Sequence, residues 1–269
     1  MKFGICIGHK FEDGKFFIPH FDFLKKCGFE YFELNLGNIA KLSNDEFELF
    51  LKFIENEKIN CEVGSGFIPA NIRITGEGFD KTTFCNFVDF AVSRAKKLGM
   101  RKIVLGSGGA RNIEPAFSHE KAREQLEFCI EYASQICAEN EIVILLEHLN
   151  RMESNILTNF KACAKIMKNL NSKYKKCVID FYHFNVGNEN HQNIIDYKEQ
   201  IAHVHYAYPV QRMFPLPLRF DEMQEDIKYI REIGYNDTFS IECNPMHLNS
   251  ENPLYIESMK MIKSYFNAE

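Results

Sequence analysis

The chain has 269 residues, is 45% hydrophobic and carries a formal net charge of −5, so it can bury one large core; a single α/β barrel occupies about 250 residues. An acidic balance with no block of like charge argues against a nucleic-acid partner, and no stretch approaches the ~20 apolar residues of a membrane span. Nine cysteines, odd in number and without a CxxC pair, read as reduced thiols, and MKFGICIGHKFEDGK is not a signal peptide, so a cytoplasmic protein is expected.

Short apolar runs alternate with helical periodicity from end to end. The expected strands are FGICI (3–7), YFELNL (31–36), INCEVG (59–64), KIVLGS (102–107), IVILLE (142–147), CVID (177–180), IAHVH (201–205) and FSIEC (239–243). Between them lie the amphipathic stretches PHFDFLKKCG, DEFELFLKFIENE, TTFCNFVDFAVSRAKKLG, EKAREQLEFCIEYASQICAEN, NFKACAKIMKNL (159–170), NIIDYKEQ and EDIKYIREIG, and PLYIESMKMIKSYF follows the last strand. Ser43 with Glu46 forms a capping box, Ser118 is an N-cap, and Gly28, Gly99 and Gly234 stand at helix C-termini. Eight strands alternating with eight helices predict an α/β fold, a (β/α)8 TIM barrel, as one domain over residues 1–269. A doubly wound open sheet would carry a glycine-rich fingerprint after its first strand, and GHKFEDGK is not one.

Chemistry in such a barrel gathers at the C-terminal ends of the strands. Those ends carry Glu147, Asp180, His205 and Glu242 on four successive strands, each about one βα repeat from the next. Three crowded carboxylates repel unless a counter-charge joins them. A divalent cation supplies that charge, and oxygen-rich ligands with one nitrogen suit Mn²⁺, Mg²⁺ or Co²⁺ better than a structural zinc. Glu147 thus ends an apolar strand as a metal ligand.

Other residues near these ends have two readings. His183 follows Asp180 on the loop leaving strand six, and His203 lies one layer below His205 as a packed, hydrogen-bonded core histidine. Arg212, after strand seven, either grips substrate oxygens or is surface. Glu153 and Arg151 are either site residues or an ordinary surface ion pair, and Phe67 with Pro69 is a candidate apolar wall of the substrate site. GSGGARN (106–112) is either an anion-binding glycine loop or a tight turn at the rim.

On these residues the chain resembles the xylose-isomerase-like barrels, the sugar phosphate isomerase/epimerase superfamily that includes ketose 3-epimerases, hydroxypyruvate isomerase and inosose dehydratase. EHLNRMES is similar to the E-x-x-N-R-x-E signature of the ketose 3-epimerase branch and DFYHFN to its D-x-x-H. HVHYAYPVQR, SIEC, GSGGARN and FIPANIRITG complete the likeness over nearly the whole chain. The resemblance implies that Glu147, Asp180, His205 and Glu242 bind one divalent ion, commonly Mn²⁺ or Co²⁺, with Mg²⁺ and Zn²⁺ as alternatives. It further implies that Glu147 and Glu242 act as the acid/base pair and that His183, Glu153 and Arg212 hold substrate oxygens. Relatives form dimers or tetramers. One departure is Tyr208, where many relatives have an aspartate.

The expected substrate is a sugar or sugar phosphate. A 2-ketose would offer its carbonyl and adjacent hydroxyl to the ion, and a carboxylate would remove the acidified C–H proton to give an enediolate. Proton return from the opposite face gives a 3-epimerase, return to the adjacent carbon an aldose–ketose isomerase, and loss of a β-hydroxyl a dehydratase. The E-x-x-N-R-x-E segment favours epimerisation. An abasic-site endonuclease on the same barrel would need further histidines at earlier strand ends, where EVGSGF and GSGG carry none. A non-catalytic sugar-binding relative would be expected to lose one of the two glutamates, and both are present.

Overall fold

The computed structural model describes residues 1–169, 172–248 and 250–268. Eight parallel strands close into a barrel: β1 Lys2–Ile7, β2 Tyr31–Asn35, β3 Val63–Ser65, β4 Lys102–Leu105, β5 Val143–Glu147, β6 Lys175–Asp180, β7 Ile201–Tyr206 and β8 Thr238–Ile241. Each strand pairs with its neighbours in sequence, and β1 pairs with both β2 and β8 to complete the ring. This is the expected (β/α)8 TIM barrel.

Side chains alternate across each strand, which separates two cores. Inside the barrel, Tyr31, Val63, Val104, Leu145 and Val178 form an apolar plug. Outside, Phe3, Ile5, Phe32, Leu34, Ile144 and Phe239 pack with buried residues of the helical layer such as Phe50, Val88, Ile130, Ile227 and Ile262. Gly4 is what admits the Tyr31 ring to the barrel: a Cβ on Gly4 would stand 2.2 Å from that ring.

The capping signals hold. Ser43 Oγ accepts from Glu46 N while Glu46 Oε2 accepts from Ser43 N, and Ser118 caps the helix His119–Glu139. Gly28, Gly99 and Gly234 take the positive φ that ends a helix. Leu170, the last residue of the expected helix 159–170, lies outside the described residues.

Strand ends shift by a residue or two from the sequence reading, and three departures have a visible local cause. The expected strand 59–64 pairs as a strand only from Val63, because Ile59 N still bonds back to Ile54 O at the preceding helix end. The fourth strand stops at Leu105, because Ser107 turns into the left-handed region (φ 48°) and starts the short helix Gly108–Arg111. A hairpin, Lys10–Glu12 with Lys15–Phe17, follows β1. Its Asp13–Gly14 turn, both residues at positive φ, is the local signal for it. No helix among the described residues is long and apolar enough to cross a membrane.

Candidate active site

The register carries the four strand-end residues to one rim. Glu147 and Asp180 are the last residues of β5 and β6, His205 is the penultimate residue of β7, and Glu242 directly follows β8. Each offers one ligand atom, and these atoms all lie within 4.8 Å of one another. His205 Nδ1 is the focus, at 2.9 Å from Glu242 Oε2, 3.3 Å from Glu147 Oε1 and 3.8 Å from Asp180 Oδ2.

Local structure prepares each member. Asp180 caps the helix Phe181–Val186: its Oδ1 accepts from His183 N at 3.1 Å, which leaves Oδ2 for the cluster. Glu147 has room because residue 106 is glycine; a Cβ there would stand 2.0 Å from Glu147 Oε2. Arg111, wholly buried, donates to Glu147 O at 2.8 Å and to Ser154 Oγ at 3.3 Å. The GSGGARN segment therefore braces the strand-five loop and clears space for its carboxylate.

Arg212 reaches the cluster from the loop after β7. Nη2 stands 2.6 Å from Glu242 Oε2 and 3.2 Å from Asp180 Oδ2, and the guanidinium covers the Tyr182 ring. Tyr208 turns its hydroxyl away, to Glu222 and Arg219. His183 is buried, and Asn150 donates to its Nδ1 from both the backbone N (3.2 Å) and Nδ2 (2.9 Å). A backbone N–H can only donate, so Nδ1 is the acceptor and the neutral ring's proton sits on Nε2. That nitrogen lies 3.7 Å from Asp180 Oδ2. Glu153, half-exposed, stands 3.3 Å from Asn150 Nδ2, while Arg151 is exposed. Phe67 is placed differently from the expected apolar wall: it is fully buried and packs towards Phe87, because the core between β3 and the helix Lys81–Lys97 takes the ring.

The electrostatics split the two glutamates. Burial pushes Glu147 up, helped by Glu242 and Asp180 and opposed by His205. Burial works the same way on Glu242, but Arg212 and His205 outweigh it and hold that carboxyl below its ordinary range.

Sequence reasoning overlooked Glu33. Fully buried on β2, it stands 3.0 Å from His205 Nε2, 3.0 Å from His203 Nε2 and 2.7 Å from Ser240 Oγ. Its signal is the one that marked Glu147, an acid inside an otherwise apolar strand, here at an inward position between Tyr31 and Asn35. His203 is fully buried and hydrogen-bonded on both nitrogens, as expected of a core histidine.

A cavity of about 400 Å³ opens beside the cluster, lined by Cys6, Ile7, Gly8, Asn35, Asn38, Ser65, Arg212, Glu242, Cys243, Asn244 and Pro245. Amides and a hydroxyl dominate its polar wall, which suits neutral hydroxyl-bearing ligands.

A closed parallel barrel with an acid-rich rim defines a broad class of enzyme folds. Within that class, the profile of the xylose isomerase-like TIM barrel family matches residues 21–265. The chain belongs to that family. No curated protein matches it. Among solved structures, it is similar to a 3-keto-D-glucoside 4-epimerase, YcjR, from E. coli (18% identity, 98% of this chain and 99% of that one, TM-score 0.73). It is also similar to a D-allulose 3-epimerase from Methylomonas sp. crystallised with D-allulose (14% identity, 98% and 96%, TM-score 0.77). A third, the IOLI protein, was crystallised with a bound zinc atom (14% identity, 99% and 98%, TM-score 0.66).

Proposed function

We propose that this protein is a metal-dependent sugar epimerase, and specifically a ketose 3-epimerase that works through an enediolate. The observation that carries the reading is the convergence of Glu147, Asp180 and Glu242 on His205 Nδ1, at the edge of a polar cavity. Three carboxylates facing one imidazole nitrogen match the donor set of an oxygen-preferring divalent ion. Mn²⁺ is the favoured ion, with Co²⁺, Mg²⁺ and Zn²⁺ as alternatives. When bound, it would polarise the substrate carbonyl and offset the charge that develops on oxygen.

The chain's own residues do the rest. Glu242, held anionic by Arg212 and His205, accepts the proton from the carbon next to the carbonyl. Glu147, on the opposite face, returns a proton, and the carbon inverts. His183 Nε2–H, fixed in its tautomer by Asn150, donates to a substrate oxygen, and Glu153 accepts from a hydroxyl. Arg212 orients the substrate and keeps Glu242 ionised. Asn35, Asn38, Ser65 and Asn244 read the remaining hydroxyls, so the reading favours a free sugar over a phosphorylated one.

Incubation of free ketoses with the metal-loaded protein in D₂O tests this. Deuterium should enter at C3 with inversion; deuterium at C1 with aldose formation would make the enzyme an aldose–ketose isomerase instead.

A further inference from the structure

Arg212 is aimed at the rim by a loop under backbone strain. Gln211 and Arg212 both lie in the left-handed region, at φ 58° and 50°, where a Cβ is unfavourable. Two backbone bonds pin the turn: Tyr208 N donates to Met213 O at 2.8 Å, and Asn244 N donates to Arg212 O at 2.8 Å. From this turn the side chain reaches the carboxylates and lines the cavity.

Hydrogen bonds hold only one edge of the guanidinium. Nε donates to Glu242 O at 3.0 Å, and Nη2 donates to Glu242 Oε2 and Asp180 Oδ2. Among the described residues Nη1 has no protein partner, so its N–H groups are left for a ligand. Bonds along one edge let the plane tilt, and a surface under its face removes that freedom. Tyr182 supplies the surface: Arg212 Cζ lies 4.8 Å from the ring centroid. The same ring meets His183 edge-on, with centroids 5.2 Å apart and planes at 65°. Tyr182 thus touches both side chains that flank Asp180 at the site. Asp180 places it: Oδ1 caps the helix Phe181–Val186, whose first turn carries Tyr182, while Oδ2 accepts from Arg212 Nη2 at 3.2 Å. One carboxylate therefore sets the register of both ring and cation.

We infer that Tyr182 is a positioning residue: its ring is the platform that fixes the plane of the Arg212 guanidinium and so presents Nη1 to the substrate. The inference rests on the epimerase reading above, which gives Arg212 the task of orienting the ketose. A guanidinium is attracted to the face of an aromatic ring, and more strongly where water is excluded. The Arg212 side chain is only 22% exposed. The contact needs the aromatic face of residue 182 and not its hydroxyl.

Tyr182→Phe keeps the ring, whereas Tyr182→Leu keeps apolar bulk without an aromatic face. The assay uses Mn²⁺-loaded protein and whichever free ketose of a panel is turned over fastest. Tyr182→Leu should lower kcat/KM by about tenfold, mainly through a higher KM, and Tyr182→Phe should stay within about threefold of the wild type. In an Arg212→Leu background, Tyr182→Leu should cost less than about twofold more, because the platform then carries nothing. Crystal structures should show the guanidinium keeping its Nε contact with Glu242 O in Tyr182→Phe and leaving it in Tyr182→Leu. Full activity in Tyr182→Leu, an equal loss in Tyr182→Phe, a loss undiminished without Arg212, or an unmoved guanidinium in Tyr182→Leu would each overturn the proposal. If no ketose is turned over, the epimerase reading fails by itself. The crystal structures then decide the platform alone: a guanidinium kept in Tyr182→Phe and displaced in Tyr182→Leu supports it, and any other pattern overturns it.

Discussion

Arg212 Nη2 lies 2.6 Å from Glu242 Oε2, so the carboxylate read as the proton acceptor is paired with a permanent cation. That contact lowers the carboxyl's pKa, and removing it has a predictable sign. In Arg212→Leu the Glu242 carboxyl loses its main opposing charge and rises towards the range that burial favours. A base that must be ionised then titrates at higher pH, so the acid limb of the kcat/KM profile should move upward. An acid limb that stays in place would contradict the pairing of Arg212 with the base.

Glu147→Gln and Glu242→Gln each remove one member of the acid/base pair. Loss of a positioned acid or base should lower exchange of the substrate C–H proton by about 10²-fold or more. Far-ultraviolet dichroism should be unchanged, because both side chains sit at the rim rather than in the apolar plug. Solvent-exchange rates measured by NMR check both points, and undiminished exchange in either variant would defeat the assignment.

Much of this architecture is legible in the sequence, for a definable reason. Barrel strands are buried on both faces and read as apolar runs, so an acid at the end of one, such as Glu147 or Asp180, stands out against its surroundings. Glu33 carries the same contrast but lies mid-strand, where its histidine partners come from β7, far away in sequence. Arg111 gives no local sign at all: its partners are carbonyl and hydroxyl oxygens of another loop, and only the fold brings them together. Phe67 shows the opposite limit. Proximity to a strand end does not say which way a ring turns, and the outer core claims this one.

Behind the site, His148 Nε2 and Glu189 Oε1 lie 3.2 Å apart, buried and out of hydrogen-bond alignment. Burial pushes Glu189 up from 4.5 to about 7 and His148 down to about 3. A carboxyl whose folded value is raised contributes stability that is fully present below its unfolded value and is lost as pH rises through the folded one. Glu189→Gln mimics the protonated form and lacks that loss, whereas the histidine is common to both proteins. The variant's melting temperature should therefore match the wild type near pH 4 and exceed it increasingly up to about pH 7, remaining higher above that. A difference that is flat or shrinks across this window would contradict the raised carboxyl.

The central claim is that residues 147, 180, 205 and 242 hold one divalent ion together. Titration of the chelator-stripped protein with Mn²⁺, with bound metal counted per chain, tests it most directly. The account predicts one ion per chain in the wild type and none retained in Asp180→Ala. No uptake by the wild type, or uptake of three ions per chain, would contradict it.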